Sequence, residues 1–163
     1  MAKEISVAIV GATGAVGTKM REQLFKRNFP IKNIKFLASA RSAGKDIEFG
    51  GKTYKIEEAT PEAFEGVDLA LFSAGGSVSE KLAPEAAKRG AIVVDNTSHF
   101  RMHPEVPLVV PEVNREDLKK HKGIIANPNG STIQMVVAPQ PIREKFGSNK
   151  VDVAPYQAGS GTG

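Results

Sequence analysis

The sequence predicts an α/β fold of three layers, a doubly wound, mostly parallel sheet with helices on both faces. Three observations predict it. Five short β-rich runs, "ISVAIV" (5–10), "IKFLA" (34–38), "VDLALF" (67–72), "AIVVD" (91–95) and "GIIAN" (123–127), alternate with helical patterns, as parallel strands joined by crossover helices require. The first run ends in a glycine-spaced turn that opens a helix. A chain of 163 residues is long enough for one domain with a core, since folding at this size buries about 70% of the unfolded surface.

The run at 5–10 stops at Val10, and Gly11, Gly14 and Gly17 follow at three-residue intervals as a helix opens over 15–27. Glycines let a backbone turn tightly and approach a pyrophosphate, whose charge is held by amides at the helix N-terminus. The spacing is G-x-x-G-x-x-G rather than G-x-G-x-x-G and is weak by itself. With a strand before it and a helix after it, it predicts a Rossmann-like, dinucleotide-binding crossover. The plainer alternative is a tight turn that holds no ligand.

The run at 34–38 leads into "FLASARSAGK". An acidic residue at this strand end would hydrogen-bond the ribose of NAD. This stretch has no carboxylate and offers Ser39, Arg41, Ser42 and Lys45, hydroxyls and a guanidinium fork suited to a 2′-phosphate. NADP(H) is therefore expected over NAD(H), an exposed basic loop being the alternative. "GGKTYKIEEA" reads as a small strand after a Gly-Gly turn.

Ser73, Ala74, Gly75, Gly76 and Ser77 follow the run at 67–72 and precede a helix over 78–89, which Gly90 stops. Ligands of open parallel sheets collect along this strand edge, so the stretch is assigned to cofactor contacts. "DNTSHFRM" occupies the same place after the next run, where Asn96 and Arg101 either face an anionic substrate or form an ordinary polar loop. His99 and His103 have the spacing of a helical metal pair, but Pro104 and Pro107 make the segment a loop, and no metal site is expected. A short helix over 114–121 begins at Asn114 as cap with acidic residues in its first turn. The helix starting at 131 must kink or stop near Ala138, because Pro139 and Pro141 cost about 3 kcal/mol each in a helix interior. The tail from Val151 has a strand-like start, then Pro155 and a glycine-rich end, and reads as a frayed or weakly paired strand.

Composition narrows the classes of function. The 22 basic and 18 acidic residues leave a net charge of +4 without a long basic block, which reads as a solvated surface and not a nucleic-acid face. No apolar run approaches the ~20 residues that span a bilayer, and "MAKEIS" has no apolar signal core. A soluble, cytoplasmic protein without membrane partners is expected. The absence of cysteine removes disulfides, thiolate metal sites and cysteine nucleophiles together.

Taken in order, "GATGAVG", "SARSAGK", "FSAGGSVS", "DNTSHFRM", "PLVVPEVN", "GIIANPNGSTIQM" and "YQAGSG" resemble aspartate-semialdehyde dehydrogenase, in its N-terminal portion. The resemblance implies NADP-dependent reductive dephosphorylation of aspartyl phosphate to aspartate semialdehyde, with a cysteine nucleophile and a histidine acid and base. It places Gly11, Thr13, Gly14, Ala15 and Val16 on the cofactor phosphates, Arg41 and Ser42 near the 2′-phosphate, and Ser73, Ala74 and Gly75 on the adenosine and nicotinamide sides. Asn96 and Arg101 correspond to substrate-phosphate positions, and Gln157 to a glutamine that orients substrate. The residue after "NPN" in the family is the nucleophile, placed at a helix N-terminus that helps lower a thiol pKa. Here it is Gly130.

The acid-base histidine belongs to the family's second domain, so an inactive NADP(H)-binding domain is expected, with Asn129, Gly130 and Gln157 as vestiges of an active site. Its bounds are expected at 1–147, leaving 148–163 as a remnant strand and tail leading to the absent catalytic domain. Pro139, Gln140, Asp152, Ala154 and Pro155 stand where the family tends to run apolar. Charge and proline deter strand pairing at an uncovered edge, which suggests an excised, engineered domain. A monomer with a small-molecule dinucleotide as partner is the leading expectation. The alternatives are an NADPH-dependent reductase of another small substrate, for which neither Tyr54 nor Tyr156 sits in a Tyr-x-x-x-Lys arrangement, and a self-associating scaffold domain.

Overall fold

The computed structural model describes residues 3–156. Seven strands form one sheet: β1 (Ile5–Val10), β2 (Ile31–Ala38), β3 (Asp46–Phe49), β4 (Lys52–Glu58), β5 (Leu69–Phe72), β6 (Ile92–Asp95) and β7 (Ile124–Ala126). Their order across the sheet is β3-β4-β2-β1-β5-β6-β7. Every pairing is parallel except that of β3 with β4. The chain builds outward from β1 to one side through β2 and returns to build the other side from β5, so its direction reverses between β1 and β5.

Strand β1 shows how the layers form. Its side chains alternate between the two faces, Ala8 and Val10 joining one core with Phe72, Val93, Ala83 and Ala86, while Ile9 joins another with Phe36, Ala38 and Ile56. Helix α1 (Ala15–Lys26) covers the Ile9 face through Met20 and Leu24, and helix α2 (Gly76–Lys88) covers the opposite face through Val78, Leu82, Ala83 and Ala86. Val7, Ile9 and Val10 are at most 1% exposed, and full burial of such side chains stabilises by about 1.5–3 kcal/mol each. The doubly wound, three-layer Rossmann-like fold is thereby established.

The five expected strands all form, β2 beginning three residues early. The Gly-Gly turn is a hairpin loop, with Gly50 at φ 59° and Gly51 at φ 75°, the left-handed pair that a two-residue hairpin needs. It is preceded by β3, a strand with no counterpart in the sequence reading. Pro84 lies inside α2, and Gly90, at φ 91°, ends the helix as expected. The helix break at Ala138 also forms, between α4 (Gly130–Val137) and α5 (Gln140–Phe146).

Two expectations are corrected. The segment at 114–121 is a helical turn, α3 (Pro111–Asn114), running into a 3-10 turn over Arg115–Lys120. Asn114 does not cap forward: its Oδ1 accepts from the amide of Val110 at 2.8 Å and its Nδ2 donates to the Leu108 carbonyl and to Asp117. It fastens the preceding loop instead. The strand expected from Val151 does not form, and no regular structure occurs from Val151 to Tyr156. Strand conformation depends on a paired neighbour, and no described strand lies beside this segment.

Among the described residues, no helix is long and apolar enough to cross a membrane, and no group of His, Cys, Asp or Glu side chains is placed to hold a metal. The segment carrying His99 and His103 is a loop, and the buried Phe100 packs edge-on against both imidazoles.

Candidate functional site

A cleft of about 860 Å³ opens where the sheet reverses direction, at the C-terminal ends of β1 and β5. Side-chain-poor loops form this position because the backbone itself must approach closely. Gly11 leaves β1 at φ 85°, and a Cβ there would sit 3.0 Å from the backbone of Ala74 in the neighbouring loop. Its amide donates to the Leu37 carbonyl at 2.8 Å, while the amide of Ser73 donates to the Val10 carbonyl at 2.9 Å. The loop after β1 is thus anchored to β2, and the loop after β5 to β1.

Two helices point their N-termini into the cleft. Gly14 precedes α1 and Gly75 precedes α2, neither supplies a side-chain cap, and neither helix has an acidic residue in its first turn. The first intrahelical acceptor of α1 is the Gly14 carbonyl, bonded by Thr18, so the amides of Ala15, Val16 and Gly17 have no intrahelical acceptor. Uncapped amides and two converging helix dipoles make a site for a polyanion such as a diphosphate. A Cβ on Gly130, Gly75 or Gly44 would meet nothing within 4 Å, whereas one on Gly17 would lie 2.2 Å from the Gly11 carbonyl oxygen. Close packing at Gly17 brings α1 down onto the loop that forms the cleft floor.

Comparison with known proteins gives the fold a family. The family model described as "Semialdehyde dehydrogenase, NAD binding domain" matches residues 6–121. The chain belongs to that family. Aspartate-semialdehyde dehydrogenase of Bacillus subtilis is 61% identical over all 163 residues, which cover 47% of that relative. Aspartate-semialdehyde dehydrogenase II of Vibrio cholerae, solved in complex with ASA, superposes with a TM-score of 0.85 at 51% identity, over 89% of this chain and 48% of its own. The Candida albicans enzyme, solved with NADP, gives a TM-score of 0.76 at 28% identity over 90% and 48% of the two chains. The chain spans about half the length of the curated relatives it matches.

Within this semialdehyde dehydrogenase fold, Gly11, Thr13, Gly14, Ala15 and Val16 at α1, Ser39, Arg41 and Ser42 after β2, and Ser73, Ala74 and Gly75 after β5 line the one cleft, whereas Lys45 does not. Asn96 lines it too, whereas Arg101, Asn129 and Gly130 do not. Arg101 turns inward along the sheet edge. Its Nε donates to the Asn127 carbonyl at 3.0 Å and its Nη2 to the Asn96 carbonyl at 2.8 Å. The Asn127 side-chain amide reaches Asn96 Oδ1 at 2.7 Å. This network ties the ends of β6 and β7 together.

Asn129 is the cap of α4, its Oδ1 accepting from the amide of Ser131 at 2.9 Å. Gly130 follows as the first residue of the helix, exposed, with no left-handed φ and nothing within 4 Å of an added Cβ. Neither backbone geometry nor packing requires glycine there. Gln157 lies outside the described residues.

The structure adds cleft residues that the sequence did not single out: Glu58, Thr97, Ser98 and Lys81. Lys81 was within reach of sequence reasoning, because it stands four residues after Ser77 on the same helix face. Glu58 was not, because it arrives on a strand two places from β1. Thr97 depends on Asp95, a fully buried carboxylate that accepts from Ser79 Oγ at 3.0 Å and from the Thr97 amide and hydroxyl at 2.9 Å each. Those bonds fix the loop after β6 against α2.

Proposed function

We propose that this chain binds a nicotinamide dinucleotide across the β1–β5 crevice, NADP(H) in preference to NAD(H), and performs no turnover on its own. The observation that carries the reading is the convergence of two uncapped helix N-termini on a cleft floored by Gly11. Backbone amides there suit the diphosphate, and Ser39, Arg41 and Ser42 suit a 2′-phosphate beyond the end of β2. The NADP of the Candida albicans relative supports the same choice. Asn96 and the loop after β6 would meet the nicotinamide end and any anionic substrate.

Gly130 supports the lack of turnover, since a glycine at the position the family gives to its nucleophile has no atom that can form an acyl intermediate. A different NADPH-dependent reduction finds no support. Tyr54 packs among Phe36 and Phe49 on the β3–β4 hairpin and Tyr156 is 98% exposed, neither lining the cleft. We read 1–147 as the binding unit and the following residues as its exit.

The test is titration of the purified chain with NADPH and NADH by fluorescence or calorimetry. Saturable binding with NADPH the tighter is expected, and absence of saturable binding of either overturns the reading. A second reading, self-association, is favoured by the exposed apolar Ile142, Phe146, Val151 and Val153 beside a groove of about 340 Å³. Sedimentation across a range of concentrations separates it from the monomer.

A further inference from the structure

The end of β2 carries no carboxylate, yet the cleft contains one. Glu58 closes β4, the strand paired with β2 on the side away from β1, and its register partner is Ala38, the last residue of β2. The amide of Ala59 bonds the Ala38 carbonyl at 2.8 Å, so the two strand ends stay in step as the chain leaves the sheet. Side chains two apart on a strand share a face. Ile56 packs with Ile9, Phe36, Ala38 and the α1 side chains Met20 and Leu24, which puts Glu58 on the α1 face just past the core. Glu57 lies on the opposite face. Glu58, Ser39, Arg41 and Ser42 line the same cleft, and Glu58 is exposed to its solvent.

We propose that Glu58 is a second determinant of which dinucleotide the cleft accepts, an acceptor for ribose hydroxyls that opposes a 2′-phosphate, so that the cleft takes NADH as well as NADPH. The proposal rests on the dinucleotide reading above. In dinucleotide folds an acidic side chain at the end of the second strand accepts from the ribose 2′-hydroxyl and disfavours the phosphorylated form. Here the acid comes from the neighbouring strand, while the second strand's own loop supplies Arg41. The cation draws the 2′-phosphate through charge-assisted bonds and the carboxylate repels it. The preference for NADPH is the difference between the two, smaller than Arg41 alone would set.

The experiment is titration of the wild-type chain, Glu58→Gln and Glu57→Gln with NADPH and with NADH. Saturable binding of both by the wild type is expected. In Glu58→Gln the ratio of the two dissociation constants should move toward NADPH by about tenfold, as loss of one charged acceptor and one repulsion implies. Glu57→Gln, which removes the same charge from the far face, should move it less than about twofold. Glu58→Thr, a substitution suited to a strand end, repeats the test should the glutamine variant melt early. An unchanged or reversed ratio in the Glu58 variants, or a wild type that saturates with NADPH and not with NADH, overturns the role of Glu58. A wild type that saturates with neither nucleotide overturns the dinucleotide reading itself.

Discussion

Gly17 lies against the carbonyl of Gly11 so closely that a Cβ on Gly17 would come within 2.2 Å of that oxygen. The first turn of α1 therefore rests directly on the loop that leaves β1. The three glycines of the motif divide the work. Gly11 makes the left-handed turn, Gly17 permits the contact, and Gly14, at φ −75° with its nearest Cβ contact at 3.4 Å, leaves room above the cleft.

That division predicts opposite outcomes for two valine substitutions. Gly17→Val should lower stability by about 1–3 kcal/mol or more, the cost of overpacking a close contact, and reduce the melting temperature in a thermal scan. Gly14→Val should leave the melt nearly unchanged while weakening NADPH by tenfold or more, about 1.4 kcal/mol, because the side chain intrudes where the diphosphate must approach. Equal, undiminished nucleotide binding by a folded Gly14→Val would show that the anion sits elsewhere.

Arg41 is exposed at the rim of the cleft, so its removal should not disturb folding. Arg41→Met should weaken NADPH by about 1.5–3 kcal/mol, the range for a hydrogen bond to a charged group, and leave NADH within about twofold. Calorimetric titration at low and high salt reads this directly, since the lost contribution is the salt-sensitive one.

Asp95 holds a different kind of importance. Its carboxylate is fully buried and accepts three hydrogen bonds, from Ser79 and from both donors of Thr97. Asp95→Ala would leave those donors without partners, each costing about 1–3 kcal/mol when buried, and denaturant unfolding should record a midpoint well below that of the wild type. Ser79→Ala, which removes only one donor, should cost less.

Acid should loosen the end of α2. Glu85 accepts from Lys88 at 2.6 Å and from Arg89 at 2.8 Å, and these hydrogen bonds hold its carboxyl below the usual carboxylate range. A carboxylate whose pKa is lowered by folding adds stability above its unfolded value and loses it as pH falls through the folded one. The melting temperature should hold steady from neutral pH down to about pH 5 and decline below about pH 4.5. Glu85→Gln should make that decline shallower without changing its direction.

Gly130→Cys should fold normally, since open space surrounds the position. NADPH absorbance should nevertheless stay flat with a phosphoaspartate analogue, because a nucleophile without a proton-transfer partner cannot complete the exchange. Substrate-dependent loss of absorbance would show that this chain supplies the missing acid and base.

The sequence by itself determined the elements whose signals are local. Apolar runs marked β1, β2, β5, β6 and β7, glycine spacing marked the β1–α1 turn, Gly90 marked the end of α2, and two prolines marked the break after Val137. Each rests on a backbone preference or a burial pattern readable within a few neighbouring residues. The tertiary structure alone decided where distant segments meet. Asn114 turned back to the amide of Val110, four residues before it, instead of capping the turn that follows. Val151 found no strand to pair with, and Arg101 was drawn to the carbonyls of two adjacent strand ends. Glu58 entered the cleft through the pairing of β4 with β2. Such outcomes depend on register and strand order across the sheet, which bring together residues that no local pattern connects.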